Sequence, residues 1–235
     1  MRLSRISSTL AGAFFLVLAS AADYDRSLSN LMVVLREVEG ANKSDETLKA
    51  SGPAKATIDG NVVEFSPAWF DFLGDMHVRF VFDAPSSMRG LTTEEFAAFH
   101  LTPEEGVKVA IANMERVYGP PVASAWSGGI MAVEGHSADL NSSYFLDRDF
   151  WVMLLKQHPE GIIVAAPKRG GLLYVPASDK KGVESLRRSI AMLFSTSGNQ
   201  RVSSALYQFK DEHWSVFQPP VNARRPRLHG LDVRF

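Results

Sequence analysis

The stretch DMHVRFVFD, residues 75–83, has the clearest alternation of side chains in the chain. Its even-numbered residues are all large and apolar, whereas the odd-numbered ones include His77, Arg79 and Asp83. Successive side chains of a strand point to opposite faces of a sheet. We therefore predict a strand with one buried face and one wetter face, and we expect His77 on the wetter face.

Short apolar runs separated by turn residues predict further strands, arranged as hairpins. Asp59-Gly60 is a dipeptide that readily adopts the positive φ values of a tight hairpin turn. The four predicted hairpins pair residues 55–58 with 61–65, 122–126 with 130–134, 161–166 with 172–176, and 205–209 with 214–217. Consecutive hairpins of this kind favour antiparallel pairing over parallel βαβ winding.

Helical spacing of apolar residues predicts helices between the hairpins. Thr92-x-x-Glu95 and Thr102-x-x-Glu105 both match the capping box that opens a helix. Apolar residues recur at helical spacing over 27–39, 102–117, 149–157 and 183–194. The predicted fold class is α+β, with a mainly antiparallel sheet built from hairpins and amphipathic helices packed on it.

The first residues have the features of an export signal. Arg2 and Arg5 precede an apolar run at 10–18, and Ala19-Ser20-Ala21 is typical of a cleavage site. The run is well short of the roughly 20 residues that span a bilayer. We predict a cleaved signal peptide at 1–21 and a periplasmic or secreted product. An uncleaved anchor and a buried first helix are the alternatives to a cleaved signal, and a cytoplasmic location is the alternative to export.

We predict one globular domain over 22–218, which two lobes could also form, and a basic, loosely ordered tail over 219–235. The tail contains Arg224, Arg225 and Arg227, which could make weak contact with a membrane surface or an acidic partner. A solvated tail without a partner is the simpler interpretation.

Composition excludes several classes of function. The formal net charge is −1, which argues against a nucleic-acid partner, because binding to nucleic acid needs a basic face. The chain has no cysteine, so thiolate metal sites and thiol nucleophiles are excluded. No phosphate-binding glycine loop or HExxH motif is present, and we predict no cofactor and no metal site.

Four polar residues are candidates for chemistry. Asp147 and Asp149 form a D-x-D pair that could hold a divalent cation, although an aspartate before a helix is also a preferred N-cap. His136 lies three residues from Asp139, a spacing that could serve acid–base chemistry or simply place both on the surface. Together these residues would form the Asp/His cluster of a hydrolase or transferase.

An aromatic group is the other candidate for binding. Trp69, Phe70 and Phe72 could form a binding patch, or they could fill the core as aromatic clusters usually do.

Five segments resemble a bacterial family of proteins of unknown function, the YtpQ-type family. They are DMHVRFVFD at 75–83, the helix at 102–117, LNSSYFLDRDFW at 140–151, IIVAAPKRGGLLYV at 162–175 and RVSSALYQF at 201–209. The resemblance covers about residues 27–218 and supports the α+β fold, but the family has no established activity.

In that family the fourth segment is a strand, a Pro-x-Arg turn and a second strand, here Pro167-Lys168-Arg169. This chain departs from the pattern in having a predicted signal segment and in carrying Gly170 where an aspartate tends to follow the arginine. The first hypothesis for function is a non-catalytic binding or accessory domain that uses a sheet face or the Arg169 hairpin. The hydrolase or transferase remains the alternative.

Overall fold

A computed structural model of the chain describes residues 24–58, 60–84 and 87–221. The predicted signal peptide at 1–21 lies outside these residues, as do the tail arginines Arg224, Arg225 and Arg227. The described strands are β1 (Leu31–Glu37), β2 (Lys49–Ala50), β3 (Ala54–Ile58), β4 (Asn61–Phe65), β5 (Trp69–Asp71), β6 (Met76–Ala84), β7 (Ser87–Gly90), β8 (Val122–Ser127), β9 (Ile130–Glu134), β10 (Ile162–Lys168), β11 (Gly171–Pro176), β12 (Leu206–Lys210) and β13 (His213–Gln218). The α-helices are α1 (Thr93–Ala97), α2 (Pro103–Tyr118), α3 (Arg148–Leu155) and α4 (Lys180–Ser195), and 3₁₀ helices cover Leu28–Asn30, Ala138–Leu146 and Gly198–Gln200.

The strands form two main sheets and a separate hairpin. In the first sheet, β6 pairs with β1 along one edge and with β5 and β7 along the other, while β2 extends the sheet beyond β5. The second sheet has six strands in the order β13-β12-β10-β11-β9-β8. Strands β3 and β4 form a separate two-stranded sheet. Every pairing is antiparallel, which confirms the predicted fold class.

Helices cover both sheets. Val183, Leu186 and Ile190 of α4 pack against one face of the second sheet. The opposite face of that sheet joins a larger core with the first sheet, α2, α3 and the 3₁₀ helix Ala138–Leu146. The aromatic residues Phe70 and Phe72 belong to this core, whereas Trp69 stays half-buried.

The helix starts follow the sequence closely. Both predicted capping boxes form, with Thr92 accepting from the Glu95 amide and Thr102 accepting from the Glu105 amide. Each box satisfies two backbone donors that would otherwise lack partners. Asp147 and Asp179 cap α3 and α4 more simply, each accepting one backbone amide, that of Phe150 and that of Gly182.

The prediction of a helix over 27–39 is wrong. The segment forms a short 3₁₀ turn followed by β1, whose first five residues are all buried. A run of apolar residues buried on both faces satisfies helical spacing as well as strand alternation, so periodicity cannot separate the two. The adjacent Val33 and Val34 favour the extended form, because β-branched side chains fit a pleated strand.

The prediction that His77 lies on a wet strand face is also wrong. Its exposed fraction is 5%, because side chains of β1 and β5 cover this face of β6. His77 therefore meets other side chains rather than bulk water, whereas Arg79 and Asp83 are half-buried.

A buried polar network links the first sheet to the second. Asp75, 2% exposed, accepts hydrogen bonds from the hydroxyls of Ser203 and Tyr207, the latter at 3.1 Å. The backbone amide of Ser204 also donates to Asp75, at 3.4 Å. Gly74 passes so close to Tyr207 that an added Cβ would lie 2.5 Å from its hydroxyl oxygen. We call Asp75, Ser203, Ser204 and Tyr207 the buried network.

Candidate functional site

Three strands of the first sheet bring four chemically active side chains to one face. Arg36 of β1 lies directly opposite His77 of β6, and Trp69 of β5 lies directly opposite Arg79. Since residues two apart on a strand share a face, His77 and Arg79 point the same way. The pairing therefore fixes these four side chains as neighbours.

Trp69 supports the other groups of this face. The Arg79 guanidinium lies 3.9 Å from the centre of the Trp69 ring, within the range of a cation–π contact. The His77 ring stacks on the same indole, with centroids 5.3 Å apart and planes inclined by 25°. Arg79 and His77 thus form a layer over the indole.

Within this layer, Arg79 Nε donates a hydrogen bond to His77 Nε2 at 2.5 Å. This bond requires Nε2 to be unprotonated. Burial, and then the charges of Arg79 and Arg36, lower the pKa of His77 to about 3. A neutral His77 is therefore an acceptor that positions Arg79, and it is unsuited to act as a proton donor near neutral pH.

A third arginine reaches this region from the second sheet. Arg169 lies in the turn between β10 and β11, where its amide donates to the Gln200 carbonyl at 3.0 Å. Its own carbonyl accepts from the Ser142 amide at 2.9 Å. The backbone of Arg169 is thus held between two 3₁₀ helices. Its side-chain Nε is buried and has no hydrogen-bond partner among the described residues.

The three arginines share one electrostatic environment. Burial, followed by the charges of Arg169 and Arg79, lowers the pKa of Arg36 to about 9, while Asp139 opposes the shift. Burial also lowers the pKa of Arg79 to about 10. Like charges shift one another in this way only when they are close together in a poorly solvated place. We call Arg36, Arg79 and Arg169 the arginine cluster.

The arginine cluster has no carboxylate partner at short range among the described residues. In the part of the chain that the structure describes, none of its guanidinium nitrogens lies within 4.0 Å of an acidic oxygen. The carboxylate that acts on Arg36 belongs to the exposed Asp139. Asp71, opposite His77, accepts instead from the Ser51 hydroxyl at 2.6 Å. Three half-buried cations without a paired anion are suited to bind an oxyanion, because guanidinium forks match phosphate and carboxylate geometry.

The residues predicted from the sequence divide between this cluster and other places. Arg169 and Asp139 both lie near Arg36. Asp147 caps α3, accepting from the Phe150 amide at 3.1 Å, and it lies beside Glu115 rather than forming a D-x-D site with Asp149.

Asp149 and His136 are exposed. Asp149 occupies the first turn of α3, and the His136 ring lies next to Gly119, just beyond the end of α2. Over the described ranges, no group of three or more histidine and acidic side chains is arranged to hold a metal ion.

Sequence reasoning missed Arg36 and Arg79 as binding residues. The available signal was a pair of polar residues, His77 and Arg79, alternating with large apolar side chains in a strand. A strand face predicted to be wet gives no reason to expect protein partners for Arg79. The sequence signal for Arg36 is weaker, because apolar spacing over 27–39 predicts a helix for its segment.

Comparison with models of known protein families, with curated proteins and with solved structures found no match to this chain. Each helix in the described ranges is too short or too polar to cross a membrane.

Proposed function

We propose that this chain is a non-catalytic binding or accessory domain whose ligand carries a phosphate or carboxylate group held by the arginine cluster. One observation carries the proposal: Arg36, Arg79 and Arg169 are half-buried, near one another and without a carboxylate within 4.0 Å among the described residues. The ligand is either a small molecule or an acidic group of a protein partner.

The arrangement costs stability, which supports a functional role. A buried cation without a partner loses hydration and gains no compensating ion pair. Each hydrogen-bond donor left unsatisfied costs on the order of 1–3 kcal/mol. Apolar residues of similar size would make a more stable sheet face, so binding is the better explanation for three arginines there.

The geometry also suits recognition. Trp69 and His77 hold Arg79 in one orientation, and the backbone contacts of Arg169 fix the turn that carries it. Prepositioned donors lose less conformational entropy when a ligand binds. The Nε of Arg79 is taken by His77, so its terminal nitrogens remain for a ligand.

Calorimetric titration of the full chain with inorganic phosphate, and separately with citrate, tests the proposal. We expect one binding site for at least one of these anions at low ionic strength. Arg36→Gln and Arg169→Gln should each weaken binding by about tenfold or more, because each removes a charge-assisted hydrogen bond.

Arg188→Gln is the matched control. Arg188 is exposed on α4, where its guanidinium lies 3.4 Å from the Ser185 hydroxyl. This variant removes the same charge from the molecule at a different place, so its affinity should match that of the unsubstituted chain. The proposal would be contradicted if neither phosphate nor citrate binds. It would also be contradicted if Arg188→Gln weakens binding as much as Arg36→Gln or Arg169→Gln does.

The same proposal includes export and family membership. The support for export is the sequence of residues 1–21, and the support for the YtpQ-type family is the five segments between 75 and 209. Cell fractionation followed by N-terminal sequencing tests export. A periplasmic or secreted product beginning near residue 22 is expected, and a cytoplasmic product that retains Met1 would contradict it.

The hydrolase or transferase alternative has weaker support. Asp147 already caps α3, and Asp149 and His136 are exposed, so none of them shows the prepared geometry of a catalytic acid–base pair. In the arginine cluster, by contrast, the Arg79 side chain and the turn that carries Arg169 are already held in place for binding.

A further inference from the structure

Asp147 uses only one of its two carboxylate oxygens. Its Oδ1 accepts the Phe150 amide and so caps α3. The residue is 4% exposed, and Oδ2 is buried without a partner among the described residues. A buried carboxylate oxygen without a donor is costly, because it has lost its hydration without gaining a hydrogen bond.

The neighbour of Asp147 is a second carboxylate. Glu115 of α2 is half-buried, and its side chain lies within hydrogen-bonding reach of Asp147. Two ionised carboxylates at this separation repel each other, and neither can donate. A single proton between them removes the repulsion and gives Oδ2 a partner, as in other paired carboxyl groups.

No cation stands in for that proton among the described neighbours. Arg116, next to Glu115, donates instead to the Ser29 carbonyl at 2.6 Å. Arg148, next to Asp147, forms an ion pair with Glu46 at 2.6 Å.

The other titratable groups near the pair are Tyr144 and Asp149. Burial, and then Glu115 and Asp147, raise the pKa of Tyr144 to about 12, so its phenol stays neutral. Asp149 adds a further negative charge.

We propose that Glu115 and Asp147 share one proton and that this proton fastens the start of α3 to α2, so that its loss loosens the junction. The pair thus makes this part of the fold sensitive to pH, independently of the arginine cluster.

The direction of the effect follows from the pKa of Asp147. Burial, with Glu115 and Asp149 adding to it against the Phe150 amide, raises this pKa to about 6. Because the folded state holds the proton more tightly than the unfolded chain, the stabilisation is complete below about pH 4 and is lost as pH rises through about 6.

Thermal unfolding of the full chain between about pH 5 and about pH 8 tests the proposal. Asp147→Asn keeps the cap, since asparagine is also a preferred N-cap, and its amide donates permanently to Glu115. Over this pH range, loss of the shared proton should lower the Tm of the unsubstituted chain. We expect this Tm to fall by roughly 5 °C more than the Tm of Asp147→Asn. Glu115→Gln should flatten the profile in the same way and serves if Asp147→Asn folds poorly.

Glu160→Gln is the matched control, because Glu160 is an exposed acid beyond the end of α3. It should keep the slope of the unsubstituted chain. Infrared difference spectroscopy provides a direct readout: the protonated-carboxyl band should lose intensity between about pH 5 and about pH 8, and the band component that is lost should be missing in Asp147→Asn. An unchanged slope in both Asp147→Asn and Glu115→Gln, or a difference spectrum without that loss, would overturn the proposal.

Discussion

The buried network and the arginine cluster both involve the strand segment 75–83, yet the protein treats their polar groups in opposite ways. Asp75 accepts from two hydroxyls and an amide, and Tyr207 is fully buried. Arg169 and Arg36 are left without ion pairs in the described structure. A satisfied buried group stabilises the fold, whereas a charged group left without a partner costs stability and calls for another explanation.

The contrast suggests how to separate structural from functional polar residues in this molecule. Substitutions of Asp75, Ser203 or Tyr207 in the buried network should destabilise the fold, because each one removes a hydrogen-bond partner from another buried polar group. Substitution of Arg36, the member of the arginine cluster that both other arginines repel, should relieve repulsion and weaken binding. The two regions should therefore respond with opposite signs.

The largest effect is expected from Asp75→Ala. It removes the acceptor of Ser203 and Tyr207 and leaves both hydroxyls buried, so we expect a loss of about 3 kcal/mol in the free energy of unfolding. Urea denaturation measures this loss. Asp71→Ala is the control, because Asp71 is half-buried and accepts from Ser51, and it should cost less than about 1 kcal/mol. Equal losses in the two variants would mean that the network has no special role.

The next largest effect is an increase in the free energy of unfolding, opposite in sign to that of Asp75→Ala. Arg36→Met should raise the free energy of unfolding by about 1–2 kcal/mol, because it removes a cation that is repelled by Arg169 and Arg79. Partial exposure of Arg36 reduces the gain through solvent screening.

The pH dependence of this gain gives a second check. The folded-state pKa of Arg36, about 9, lies below its ordinary value, so the charge costs stability at and below about pH 9, and the cost shrinks as pH rises from about 9 toward the ordinary arginine pKa. Arg188→Met on the exposed face of α4 should change stability by less than about 0.5 kcal/mol. Destabilisation by Arg36→Met would show that this residue supports the fold.

Much of the fold could be predicted because its signals are local. Thr92 and Thr102 open helices through bonds to residues three positions on, and Asp59-Gly60 joins two strands that pair with each other. Such signals do not depend on which elements later meet in space. The division into two sheets, in contrast, depends on long-range contacts such as that between Asp75 and Ser203, which no local pattern contains.

The candidate site was harder to predict for the same reason. Arg169 attracted attention through its turn and the family resemblance, but its neighbours Arg36 and Arg79 come from strands more than 80 residues away in sequence. The burial of His77 also depends on Trp69, which stacks on it from another strand. Only the pairing of β1, β5 and β6 reveals that Arg36, His77, Arg79 and Trp69 form one surface.

A smaller effect is expected from Trp69→Leu, which tests the support beneath Arg79. Loss of the cation–π contact and of stacking on His77 should reduce the free energy of unfolding by about 1 kcal/mol and weaken phosphate binding several-fold. Trp126→Leu is the control, since Trp126 lies on β8 and is 45% exposed. Intact anion affinity in Trp69→Leu would show that the indole does not position Arg79 for the ligand.

The smallest effect concerns His77. If its ring is only a neutral acceptor for Arg79, affinity for an anion of constant charge, such as sulfate, should change by less than about twofold between about pH 5.5 and about pH 7.5. The physical reason is that a pKa of about 3 keeps the ring neutral throughout this range. His136 is exposed near Gly119 and is the control, so His136→Asn should leave the profile unchanged. Sulfate binding that strengthens strongly toward acid and becomes flat in His77→Asn would instead make His77 a fourth cation of the site, and its bond to Arg79 would have to break before a ligand binds.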